Sequence, residues 1–164
     1  MKKIIVIGCP GSGKSTFARA LHSKTGIPLY HLDMMYWNAD KTTVEKSIFL
    51  NRLSEALEND EWIIDGNYNS TMELRMSKCD TVIFLDYPLE VCLEGIKQRQ
   101  GKSRSDMPWI ENEDDPEFLE FVRGYNSSSR PKVLKLLDKY HYKNVVIFKS
   151  REDATLFLEQ MKND

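Results

Sequence analysis

The chain has 164 residues, 29% of them charged, with a formal net charge of −2. A length of this order predicts one domain with an ordinary core, and the near-neutral charge excludes the overall basic field that would hold nucleic acid or an anionic membrane. Only four strongly apolar residues precede Gly8, too few for a membrane span or a signal-peptide core, so a cytoplasmic location is expected.

The first element is the apolar run Ile4-Ile5-Val6-Ile7, which reads as a strand and leads into Gly8-Cys9-Pro10-Gly11-Ser12-Gly13-Lys14-Ser15-Thr16. Phe17, Ala18, Ala20 and Leu21 follow at spacing compatible with a helix. Strand, glycine-rich turn and helix in that order are the context of a phosphate-binding loop of the G-x-x-x-x-G-K-S type. A polyphosphate crowds negative oxygens into a small volume, so its binder needs closely spaced donors and little side-chain bulk, which Gly8, Gly11 and Gly13 permit. The amides from Gly11 to Ser15 are expected to curl around the β-phosphate at a helix N-terminus. Pro10 lacks an N–H and shapes the loop. Lys14 is expected to bridge the terminal phosphates, Ser15 to ligate Mg²⁺, and Thr16 to support the metal shell or the α-phosphate. Cys9, Cys79 and Cys92 show neither zinc spacing nor a disulfide framework. Cys9 reads either as a thiol activated by the loop amides or as a small residue that fits the turn.

After Thr25-Gly26-Ile27-Pro28, a short second strand spans Leu29 to Leu32 and ends at Asp33. Asp33, beside Tyr36 and Trp37, is a candidate to orient an acceptor hydroxyl or take its proton; His31, on the same strand face, reads as structural. Helical spacing predicts a helix over 42–58. Trp62-Ile63-Ile64 forms a third strand ending at Asp65, and a short helix is expected over 70–77. Thr81 to Leu85 is an unbroken apolar strand ending at Asp86. Asp65 is the first choice for the metal's water shell and Asp86 the competitor. Pro88 opens a helix to about Arg99, and residues 100–113 read as a loop able to close, with Arg99, Lys102 and Arg104 placed to deliver charge to the transferring phosphoryl. Asp115-Pro116 starts a helix to about Tyr125, Pro131 begins another, and Arg123 and Arg130 flank a second approach to the site. A last strand, Val145 to Phe148, leads to a terminal helix, with Arg151 placed to stack on a purine.

Five strands alternating with helices predict a parallel sheet covered on both faces, with the ligand beyond the carboxyl ends of the strands. No N-K-x-D element is present, and no D-x-x-G follows the third strand, so a guanine-specific switch is not indicated. The parts fit an ATP- and Mg²⁺-dependent kinase acting on a small acceptor.

Gly26-Ile27-Pro28 with Asp33-Met34, Trp62-Ile63-Ile64-Asp65-Gly66, and Asp114-Asp115-Pro116-Glu117 through Arg123 resemble the adenylate-kinase-like P-loop kinases. Tyr30-His31-Leu32-Asp33, Trp62 through Asn67-Tyr68, Gly101-Lys102-Ser103-Arg104 and Arg130-Pro131-Lys132 resemble the bacterial DNA topology modulation proteins, an adenylate-kinase-related family named for a genetic phenotype. The resemblance implies a nucleoside-monophosphate-kinase fold with sheet order 2-3-1-4-5, an acceptor-site insertion at about 33–60 and a lid at about 99–123. The candidate acceptor contacts are Asp33, Tyr36, Trp37, Asp65, Asn67, Tyr68, Arg75, Arg123 and Arg130. The chain departs from adenylate kinases where it carries Tyr36, and Asn67-Tyr68-Asn69, in place of two phosphate-gripping arginines; Arg52 and Arg75 are the candidate replacements. The lid has no cysteines, so no zinc is expected in it. A monomer or a weak homodimer is expected. The alternative reading is a nucleotide-binding regulatory protein associated with DNA topology, although the charge balance opposes direct duplex binding.

Overall fold

The computed structural model describes residues 1–111 and 115–162. Asp114, in the resemblance to the closing side of the lid, lies outside them. Five strands, β1 (Lys3–Gly8), β2 (Leu29–His31), β3 (Trp62–Asp65), β4 (Thr81–Leu85) and β5 (Asn144–Phe148), form one parallel sheet in the order β2-β3-β1-β4-β5, as expected. Among the described residues eight helices surround it: α1 (Lys14–Thr25), α2 (Leu32–Tyr36), α3 (Lys46–Leu57), α4 (Asn69–Lys78), α5 (Leu89–Arg99), α6 (Pro116–Arg123), α7 (Tyr125–Lys139) and α8 (Arg151–Gln160).

The alternation of strand side chains divides the core in two. Ile4 and Val6 face a layer containing Phe17, Ala18 and Leu21 of α1, Ile96 of α5 and Ala154 of α8. Ile5 and Ile7 face Phe49 and Leu53 of α3, Met72 and Met76 of α4, and Val133 and Leu137 of α7. Ile4 through Ile7 have no exposed surface, and each such burial stabilises by about 1.5–3 kcal/mol. The phosphate loop thus grows from the end of a fully buried central strand.

Three expectations are corrected. The second strand stops at His31; Leu32 turns inward to begin α2, so Asp33 stands on a helical turn with its carbonyl accepting from Trp37 N at 3.0 Å. Helix α3 begins at Lys46, after a hairpin-like return in which Trp37 bridges Thr43. Pro131 lies inside α7 rather than at its start. Proline removes one helical hydrogen bond, but Tyr125 and Ser129 are buried ahead of it and the Ser127 and Ser128 hydroxyls bond Gly124 O, which holds the earlier turn in helix.

Candidate active site

Register places the chemistry on one rim. His31 pairs with Asp65 and Gly8 with Leu85, so β2 ends level with β3 and β1 level with β4, while Val6 pairs with Asp65 and β1 reaches two residues past β3. The Asn67 side chain ties two of these ends together: its amide nitrogen donates to Gly8 O at 2.6 Å and its oxygen accepts from Gly8 N at 3.2 Å. Pro10, Gly11, Gly13, Lys14, Ser15 and Thr16 line a cleft of about 1420 Å³ together with Asp33, Trp37, Asp65, Asn67, Tyr68, Arg99, Arg104 and Arg151. That volume exceeds the about 300–1,000 Å³ of a one-ligand pocket.

The loop is braced from outside. Gly11 has φ +84°, and a Cβ there would lie 2.0 Å from Cys92 O of α5, so glycine is required by the helix behind the loop as well as by the backbone. Ser12 is buried, its amide donates to Cys9 O at 3.0 Å, and it does not line the cleft. Arg151 donates to Ser12 O at 2.9 Å and Gly11 O at 3.2 Å, with its guanidinium 5.5 Å from the Tyr87 ring. Arg151 thus lines the cleft with its guanidinium bonded to the loop carbonyls and set against the Tyr87 ring. Cys9 is the small buried residue of the two readings, its thiol pushed well up by a hydrogen bond with Cys92 and by burial.

Lys14 Nζ donates to Cys9 O at 3.3 Å. Burial lowers its pKa, Arg99 lowers it further, and Asp33 and Asp65 oppose the shift. Burial raises the pKa of Asp33; the Tyr68 hydroxyl, donating at 2.5 Å, and Lys14 offset part of this, while Asp106 and Asp65 add to it. A carboxyl so placed is a stronger base than an exposed one. Asp65 is met by His31 Nδ1 at 2.6 Å, a pairing that sequence reading missed because it depends on register across β2 and β3.

Sequence reading also missed Arg19 and Glu111. Arg19 donates to the hydroxyls of Ser15 at 2.6 Å, Thr16 at 3.3 Å and Ser105 at 3.0 Å, bridging α1 to the loop after α5. Its position one helical turn after Ser15 was the available signal. Glu111 accepts from Arg99 at 3.0 and 3.2 Å and from Arg104 at 3.4 Å, so one carboxylate gathers both arginines.

Four expected acceptor contacts do not line the cleft. Tyr36 packs edge-on against Phe49 and Tyr68. Arg75 is fully buried, its guanidinium bonded to Thr71 Oγ1 at 3.2 Å and to the carbonyls of Gly66, Asn67 and Tyr68. Arg123 is exposed at the end of α6, where a cation suits the helix terminus. Arg130 forks onto Asp86 with two bonds of 2.9 Å. Lys149 adds a third at 2.5 Å; burial works against ionisation of Asp86, but these cations hold its pKa below the ordinary value. Arg52, the other candidate replacement, donates to Met35 O at 2.7 Å.

The profile of the AAA domain family, AAA_18, matches residues 4–119. The chain belongs to that family. Among individual proteins, this AAA-family chain is 31% identical over 109 residues to an adenylate kinase of Thermotoga neapolitana, covering 62% of this chain and 49% of that one. It is 34% identical over 104 residues to the uncharacterized protein YqaC of Bacillus subtilis (strain 168), covering 60% of this chain and 57% of that one. The matched region thus spans about half the length of these relatives. Among solved structures, shikimate kinase from Acinetobacter baumannii in complex with shikimate shares the fold at a TM-score of 0.62 and 16% identity, covering 98% of this chain and 90% of that one. A gluconokinase from Sinorhizobium meliloti 1021 does so at 0.59 and 16%, covering 96% and 87%. The fold, a five-stranded parallel sheet covered by helices, is shared with these two kinases, and the family is that of the AAA domain. No helix among the described residues is long and apolar enough to cross a membrane.

Proposed function

We propose that this chain is an ATP- and Mg²⁺-dependent phosphotransferase acting on a small molecule, a nucleotide or nucleoside being one class to test. One observation carries the reading: the phosphate loop, the Asp33–Tyr68 pair and the Arg99–Glu111–Arg104 group line the same cleft. In this reading residues 33–60 shape the acceptor end and residues 99–123 close over the nucleotide. The loop amides, other than that of Ser12, receive the phosphates, and Lys14 neutralises the charge that develops on the transferred group. Arg99 and Arg104 add positive charge from the lid side. Asp33, held by Tyr68, takes the proton of the attacking hydroxyl, while Asn67 and Tyr68 set the loop that faces the acceptor.

The donor set fits Mg²⁺, a hard cation that takes one or two protein oxygens beside phosphate oxygens and water. Ser15 and Asp65, which also meet Arg19 and His31, both line the cleft and supply such oxygens, whereas Asp86, bonded by Arg130 and Lys149, does not line it. The metal, when bound, screens the β- and γ-oxygens. The DNA-associated regulatory alternative rests on the resemblance alone; the cleft supports turnover.

The test is transfer of label from γ-labelled ATP to hydroxyl compounds in the presence of Mg²⁺. A labelled small product is expected. Asp33→Asn should lower kcat by about 10²–10⁴-fold, the range of general-base contributions, with ATP affinity nearly unchanged. Because the Asp33 pKa is raised, wild-type kcat should climb with pH through a value above the usual carboxylate range, a limb that the Asn variant lacks. Label appearing only as inorganic phosphate, or a fully active Asn variant, would contradict the reading.

A further inference from the structure

We propose that the acceptor is a hydroxyl compound without an anionic group, bound through a flat or apolar face. The inference rests on the phosphotransferase reading and concerns the end of the cleft around Asp33.

That end is rich in carboxylates and poor in available cations. Asp33, Asp65 and Asp106 are close enough for the latter two to disfavour ionisation of the first. The nearby cations have other partners. Arg104 pairs with Asp106 at 3.5 Å and Glu111 at 3.4 Å, and Arg99 with Glu111. Arg19 is held by hydroxyls on the phosphate-loop side, Lys14 by the loop itself, and Arg75 and Arg130 lie off the cleft. Among the described residues Lys41 and Lys102 are the remaining cations of the cleft; both are exposed, and Lys41 stands with Nζ 5.1 Å from the Trp109 ring centroid.

The other walls are neutral. Trp37 and Trp109 meet edge to face at 5.8 Å, and Tyr68, Asn67, Asn69 and Ser129 complete the surface. Indole faces recognise flat or apolar ligand surfaces, and amides and hydroxyls recognise neutral polar ones. A phosphate or carboxylate on the acceptor would have to sit among like charges with no arginine fork to receive it, an arrangement that selects against anionic acceptors. A neutral or amine-bearing acceptor meets no such opposition.

In the transfer, the acceptor oxygen forms a bond to the γ-phosphorus, and the bond from that phosphorus to the bridging oxygen breaks with its electron pair going to ADP. The hydroxyl proton passes to the Asp33 carboxylate. Nothing beyond ATP and the acceptor is consumed.

The test measures ADP release by the full chain with Mg²⁺ and ATP, using matched pairs: a nucleoside against its 5′-monophosphate, a sugar alcohol against the corresponding sugar acid, and an amino alcohol against its phosphorylated form. Turnover is expected with uncharged or cationic members, their kcat/KM at least about tenfold above that of their anionic counterparts. Asp106→Asn should narrow that preference by raising the relative rate on the anionic member. A preference for the anionic member in wild type overturns the acceptor class and leaves the kinase reading standing. Absence of ADP release with every compound overturns the kinase reading, and the acceptor class with it.

Discussion

Lys14→Ala is expected to lower kcat by about 10²–10³-fold or more, the scale on which one preorganised charge-stabilising donor acts. Lys14 is the one cation placed inside the phosphate loop and also within the electrostatic reach of both Asp33 and Asp65. Folding should not suffer in the variant. The folded-state pKa of Lys14 lies below its ordinary value, chiefly through burial. Such a base costs stability wherever the unfolded chain holds it protonated, which includes pH 7, so removing it should leave Tm unchanged or raise it. Steady-state kinetics beside a thermal melt separates this from general damage. Loss of activity accompanied by an equal loss of stability would show that Lys14 is structural.

Arg75→Met should give the largest stability loss, about 3–5 kcal/mol, as expected when a buried charged network loses one partner. Burial pushes the Arg75 pKa down to about 9, yet its guanidinium is matched by three successive carbonyls and Thr71 Oγ1. Methionine fills similar space but leaves the carbonyls of Gly66, Asn67 and Tyr68 without that donor. The same segment carries Tyr68 at φ +38°, a left-handed conformation that the clamp holds, and Tyr68 in turn positions Asp33. Urea unfolding should show the lower midpoint, and the surviving folded enzyme should show reduced kcat through Asp33. An unchanged midpoint would mean that the carbonyls find equivalent partners without Arg75.

What the sequence made legible follows from local physics. β1, the glycine turn and α1 were readable because apolar run, turn chemistry and helix spacing agree within 20 or so residues. Asp65 and Asp86 were recognised at strand ends, and Asp33 was expected at one but stands on the first turn of α2; the environments of all three were not legible. Asp65 faces His31 across a register that no local pattern encodes, and Asp86 is saturated by Arg130 and Lys149, which come from α7 and the turn after β5. Arginines were the hardest residues to assign. In sequence Arg75, Arg99 and Arg151 are equivalent charges; in the fold one clamps a loop from behind, one lines the cleft and one braces the phosphate loop. Pro131 misled for a related reason, since buried contacts earlier in α7 outweigh its local preference.

The most direct test of the account is calorimetric titration of the chain with ATP and Mg²⁺, and separately with adenosine. Affinity should reside in the phosphates received by the loop amides and Lys14, so the account predicts one ATP bound per chain and adenosine at least about 100-fold weaker. Equal affinity for the two, or no heat of binding with ATP, would contradict it.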